Sequence, residues 1–202
     1  PAYLDDYAFL VWGLHELYEA TWNVAYLDEA VRLNAEMLRL FWDDERGGCY
    51  FTGTDSEALL TRPKEIYDGA IPSGNSVAAY NLIRLAHLTG DPSLQKKAEQ
   101  QLQAFAGIVD RVATGSTFFL CAVLLAVQAM RMIVVAGDGG RTAEQMRKIV
   151  QQAYLPGVVL IDHPEHDRSI ERLAPHVAEQ RMQNGEATAY ICENYACQAP
   201  TT

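Results

Sequence analysis

The chain has 202 residues, 49% of them hydrophobic and 21% charged, which is enough apolar material for one large or two small domains and excludes a disordered chain. Sixteen Lys and Arg against 26 Asp and Glu leave a formal charge of −10, so neither nucleic acid nor a membrane is expected as a partner. The longest apolar run, 118–127, is shorter than the roughly 20 residues a membrane span requires.

The sequence opens Pro1-Ala2-Tyr3, with no Met and no charged-then-apolar leader pattern, and enters helical periodicity at once. A piece of a longer chain is expected. Leu4, Tyr7, Ala8, Val11, Leu14 and Tyr18 share one face at 3.6-residue spacing, predicting a helix over about 3–20. Leu27, Ala30, Val31, Met37, Leu38 and Phe41 predict a second over about 24–42, which Gly47-Gly48 ends. Cys49-Tyr50-Phe51-Thr52 reads as a short strand or extended segment. A connection of about thirty residues, long enough to expect a function of it, leads to a third helix.

Pro72-Ser73-Gly74-Asn75-Ser76 opens that helix, with Pro72 in the first turn and Ser or Asn capping. Gly90 ends it in the left-handed position after the last turn, and Asp91-Pro92 begins a fourth reaching about Val109. A fifth, nearly all apolar, covers about 116–130. From Arg131 the pattern changes. Met132–Ala136 and Val158–Ile161 are β-branched runs flanking a helix over 142–154, a strand–helix–strand that implies a parallel crossover, and Thr188–Cys192 offers a third strand. The division is therefore placed at 130, with helical hairpins over 1–130 and a small α/β (βαβ) unit over 131–202. Paired helices with short turns inside each pair and a long link between pairs fit a bundle, a solenoid or part of an α/α toroid, and the unequal links favour the toroid.

Four stretches carry a family resemblance. Tyr3-Leu4-Asp5-Asp6-Tyr7-Ala8, Gly47-Gly48-Cys49-Tyr50-Phe51-Thr52, Asp68-Gly69-Ala70-Ile71-Pro72-Ser73-Gly74-Asn75-Ser76 and the tail Cys192-Glu193-Asn194-Tyr195-Ala196-Cys197-Gln198-Ala199-Pro200 together resemble the YyaL/spermatogenesis-associated protein 20 family. The resemblance implies a thioredoxin-like domain followed by a six-hairpin α/α toroid similar to glycosidases and sugar epimerases, of which this chain would be only the C-terminal portion. It makes a carbohydrate-active role in the complete protein the leading expectation, as a sugar isomerase or epimerase or as a glycosidase. The alternative is a non-catalytic binding or redox-accessory module working with the thioredoxin-like domain.

Paired carboxylates near helix starts suit acid/base sugar chemistry, which nominates Asp5, Asp6 and Asp68. Ser73, Gly74 and Asn75 present a helix N-terminus suited to hydroxyls or an anion, and Tyr7 and Tyr67 are platforms for a sugar ring. Tyr3, Trp12, Trp22, Trp42 and Tyr50 are further aromatic platforms, and Arg62 and Lys64 are cations on the long connection. Each of these residues also has an ordinary use in caps, core or solvated loop. Cys192 and Cys197, four residues between them, do not have zinc or Cys-x-x-Cys spacing and can be linked only if the fold brings them together. The resemblance adds that a thioredoxin-like domain could exchange disulfides with them.

His163, His166 and His176 are too irregularly spaced for a zinc set, and no metal or cofactor is expected. Gly137-Asp138-Gly139-Gly140 has the strand–turn–helix context of a phosphate loop without the full glycine pattern. Four cysteines are too few for a disulfide scaffold and two sit in apolar stretches, so a reducing, cytoplasmic compartment is expected. Apolar faces left without neighbours predict that the chain self-associates.

Overall fold

The structure is a computed structural model that describes residues 2–57, 60–193 and 196–202; Asn194 and Tyr195 of the tail motif lie outside the described residues. Five long helices come first: α1 (Leu4–Thr21), α2 (Val24–Phe41), α3 (Gly74–Thr89), α4 (Pro92–Arg111) and α5 (Thr117–Val127). Periodicity locates α1, α2 and α4 because each buries one apolar stripe, while α3 and α5 show as apolar runs. The cap residues act as their chemistry dictates: Asn23, Ser73 and Asp91 each accept a backbone N–H from the first turn of the helix they precede. Pro72 stands before the cap at Ser73, outside the helical turn where its fixed φ would have been tolerated. Gly90 takes φ 69°, the left-handed stop expected of it.

α1 pairs with α2 and α3 with α4, while α3 also packs against α1 on one side and α5 on the other. The N-terminal ends of α1, α3 and α5 meet at one rim, so these three helices run in the same direction. α3 is consequently buried almost all round, and its small residues Gly74, Ser76, Ala78, Ala79 and Ala86 allow the neighbours to approach. Between α2 and α3, Cys49–Thr52 is extended. Its β-pairing is limited to isolated bridges, Trp42 with Cys49 and Tyr3 with Thr52, and it belongs to none of the described sheet strands.

Beyond α5 the chain forms β1 (Arg131–Ala136), α6 (Arg141–Gln152), β2 (Val158–His163), a short helix α7 (Ser169–Leu173), β3 (Thr188–Glu193) and β4 (Ala196–Cys197). The sheet order is β2-β1-β3-β4; β2 lies parallel to β1 across the α6 crossover, and β3 and β4 add antiparallel. α7 was not foreseen, since five residues show no clear period. The chain is thus mainly α with a small α/β part. One hydrophobic cluster runs through both, joining Val11, Leu82 and Phe119 to Val134, Val159, Ile161 and Tyr190. Among the described residues no helix is long and apolar enough to cross a membrane.

Candidate functional site

The rim where α1, α3 and α5 begin gathers most of the residues singled out from the sequence. Asp68 accepts the Ser73 N–H on Oδ1 at 2.8 Å, and on Oδ2 the N–H groups of Phe118 at 2.7 Å and Phe119 at 3.3 Å. A helix start leaves N–H groups unpaired and carries partial positive charge, so one carboxylate between two starts neutralises both. Ser73 accepts the Ser76 N–H and its hydroxyl meets that of Ser76 at 2.9 Å. Asp6 accepts the N–H of Tyr3 at 2.8 Å and faces solvent.

Asn75 is completely buried. Its Oδ1 accepts from the Cys49 N–H at 2.9 Å and from Gln101 Nε2 at 3.0 Å, and its Nδ2 donates to the carbonyls of Cys49 and Glu65. Both donors and both acceptor positions of the amide are filled, leaving none for a ligand hydroxyl. Gly74 is required by closeness: a Cβ there would stand 2.3 Å from Asp5 Oδ1 and 2.8 Å from Leu4 Cγ. Asp5 takes the Gly74 N–H. Burial pushes its carboxyl above the ordinary aspartate range, that N–H pulls it back, and neighbouring Glu65 and Asp6 push it up again.

Tyr7 stands edge-on to Phe41 with ring centroids 5.5 Å apart, and Tyr67 is 73% exposed beside Gly115. The other aromatics are occupied as well: Tyr3 stacks on Phe51, Trp12 packs with Tyr80 and Phe118, Trp22 stands near Tyr18, and the Trp42 ring lies under the Lys97 ammonium. Lys64 pairs with Asp43 at 2.7 Å and Arg62 donates to the carbonyls of Thr52 and Leu40, so both cations bind the connection to α2. Burial opposes the ionised form of Asp43, yet hydrogen bonds from Lys64, the Tyr50 hydroxyl and the N–H groups of Arg46 and Glu45 hold its carboxyl far below the usual range. Glu65 and Gln101 escaped the sequence reading because their partners lie 10 and 26 residues away.

A cavity of about 550 Å³, lined by none of Asp5, Asp6, Asp68, Ser73, Gly74 and Asn75, lies further along α1 and α3, where they face α5 and the segment leading into β2. On its floor, the Arg84 side chain is 7% exposed and bonds Glu16 at 2.6 Å and Glu19 at 2.7 Å. Burial works against the Arg84 charge, but Glu19, Tyr80 and Glu16 outweigh it and hold the proton more tightly than usual. Arg84, between Ile83 and Leu85 and alone among the α3 residues in being Asp, Glu, Lys or Arg, was a legible signal for this buried ion pair.

The three histidines go to separate partners. His163 bonds the Gln180 carbonyl and Glu171, His166 bonds Asp138 at 2.6 Å, and His176 lies against Met132. Gly137 lets β1 and α6 approach, since a Cβ there would meet Ala187 and Ala143 at about 3 Å. At the far edge of the sheet Cys192 and Cys197 stand opposite each other on β3 and β4 and form a disulfide. Cys192 is 1% exposed and Cys197 faces solvent, while the Gln180 amide donates to both sulfurs at 3.4 and 3.1 Å. Cys121 is free and exposed; Cys49 is free and buried, its thiol pushed up to about 12 by burial.

The fold and these sites define a set of helical hairpins with a small mixed α/β extension that carries a disulfide at its edge. Over 99% of its length the chain is 38% identical to human spermatogenesis-associated protein 20 and 37% identical to the rat protein of that name. It is also 26% identical, over 98% of its length, to the uncharacterized protein B0495.5 of Caenorhabditis elegans. No family profile matches the chain. The chain resembles the C-terminal portion of the spermatogenesis-associated protein 20 family and spans about a quarter of the length of these relatives, 26% for the human one.

Proposed function

We propose that this part of the protein is a redox-accessory module whose Cys192–Cys197 disulfide is opened and re-formed by thiol–disulfide exchange. The observation that carries the reading is the asymmetry of the pair: Cys197 faces solvent, Cys192 is buried, and Gln180 donates to both sulfurs. A thiolate of an external dithiol attacks Cys197 Sγ and forms a mixed disulfide. Cys192 leaves as a thiolate that accepts the Gln180 N–H. The second thiol of the donor then attacks its own mixed-disulfide sulfur, so the donor leaves oxidised, the pair is reduced, and the donor's two protons balance the two thiols. A thioredoxin-like domain in the complete protein is a dithiol of the right class.

The test is a dithiothreitol titration read by alkylation and mass. Cys121 labels throughout and Cys49 stays protected; Cys192 and Cys197 become labelled together while the fold remains intact. Labelling of the pair only once the chain unfolds would overturn the reading.

A second reading, sugar isomerase, epimerase or glycosidase chemistry in the complete protein, is favoured by Asp5, the rim carboxyl with a raised pKa and another carboxylate beside it. Co-directional α1, α3 and α5 with α2 and α4 outside them are what an arc of an α/α toroid would present, with Asp5 at its rim. Asp5→Asn in the complete protein should then abolish turnover of a sugar substrate without unfolding it; unchanged turnover removes this reading. We also propose that the isolated chain pairs with a second copy through the exposed stripe Leu120, Leu124 and Val127, which borders a largely apolar groove of about 470 Å³ between α4 and α5. Sedimentation should show association that Leu124→Glu suppresses, and a parent chain that stays monomeric at all concentrations excludes it.

A further inference from the structure

We infer that the cavity over Arg84 is a binding site for a small organic ammonium ion with an apolar body. Its volume, about 550 Å³, is that of a small-molecule site. Its walls are Leu125, Met130, Val158 and Leu160, which suit a hydrocarbon or aromatic group. Its floor has the opposite character. Glu16 and Glu19 bring two negative charges, and among the described lining residues Arg84 is the single cation.

That cation is already committed. Arg84 Nη1 serves Glu16 and lies 3.4 Å from the Tyr80 hydroxyl, and Nη2 serves Glu19. It therefore repels a second cation less than an unpaired arginine would, and it has little left to offer an anion. Glu16, 54% exposed, uses Oε1 for both Arg84 and the Trp12 indole N–H. No hydrogen bond reaches its Oε2 from the described residues, and that oxygen can accept from an ammonium.

The cavity also sits at the end of α1 where carbonyls accumulate and the helix dipole is negative. Gln151 donates to two of those carbonyls, Glu19 and Ala20, at 3.0 Å each and closes that side. The ring of Tyr154, 92% exposed, stands at the rim, where an aromatic face adds attraction for a cation. Negative floor, apolar walls and an aromatic rim are the recognition chemistry of an amine, not of a phosphate or carboxylate.

The test compares three probes of one shape on the intact chain: phenethylamine, 2-phenylethanol and 3-phenylpropionate, by thermal shift and calorimetric titration. The amine should raise the melting temperature and bind saturably, while the alcohol binds at least about tenfold more weakly and the carboxylate not at all. Glu16→Gln retains an oxygen for Arg84 and Trp12 but loses the charge, and should weaken the amine about tenfold. Equal shifts from amine and alcohol, no shift from the amine, or unchanged affinity in Glu16→Gln would each overturn the inference. The three probes on the parent chain decide the matter even if the variant fails to fold.

Discussion

The two ends of α3 differ in how they treat polar groups. At its start, Asp68, Ser73 and Asn75 have their hydrogen-bonding atoms met by backbone or by the Ser76 and Gln101 side chains, and glycine at 74 draws α1 within contact. Further along, Arg84 and its two glutamates border open space. Buried polar groups whose partners are all protein atoms fix geometry; buried charges beside a cavity remain available to something that enters it. A residue type that looks catalytic in the sequence can therefore be architectural at one end of a helix and chemical at the other.

Substitutions at the closed end should cost most. Asn75→Ala strips partners from the Cys49 N–H and carbonyl, the Glu65 carbonyl and the Gln101 amide, and is expected to cost about 3–5 kcal/mol in urea unfolding. Gly74→Ala forces Asp5 and Leu4 away and should cost about 1–3 kcal/mol by the same measurement. Asp68→Asn replaces one acceptor oxygen by a donor facing backbone N–H groups. It should lower the melting temperature by the equivalent of about 1–2 kcal/mol, where a purely catalytic residue would leave it unmoved.

The smallest effect is on pH dependence. Burial, with Arg84 adding, holds the His15 imidazole well below its ordinary pKa, and burial lowers His87 and His176 as well. The unfolded chain therefore binds more protons than the native one below about pH 6.5, and stability should fall as the pH drops through that value. Melting temperatures between about pH 7.5 and 5.5 should decline, and His15→Gln should flatten the decline. A steady or rising melting temperature would contradict the lowered pKa of these buried imidazoles.

Helix existence was legible in the sequence from the apolar faces of α1, α2 and α4, the apolar run of α5, and identifiable caps at Ser73 and at Asp91-Pro92. The crossover between β1 and β2 was legible from its β-branched runs. The antiparallel placement of β3 was not, since a strand's pattern gives no direction until a partner is known. For the rim, the sequence identified Asp5, Asp68, Ser73, Gly74 and Asn75 as belonging near helix starts, and the fold brings them together. It could not show that Asn75 is committed to Cys49, Glu65 and Gln101, because such bonds span tens of residues and leave no local period. The cysteine pair was visible as residues, while Gln180, which bonds both sulfurs, lies 12 and 17 positions away and carries no sequence signal.

The Asn75 amide also gives the long connection an unusual property. It bonds Cys49 before the exposed turn at Leu60 and Glu65 after it, holding both flanks of one loop against α3. A protease that nicks the chain beside Leu60 therefore cuts a bridge whose two abutments are independently anchored. The resulting pieces, α1–α2 on one side and everything from the second flank onward on the other, should co-purify as a clipped but native complex. The same site is where the chain could be expressed as two separate halves that reassemble.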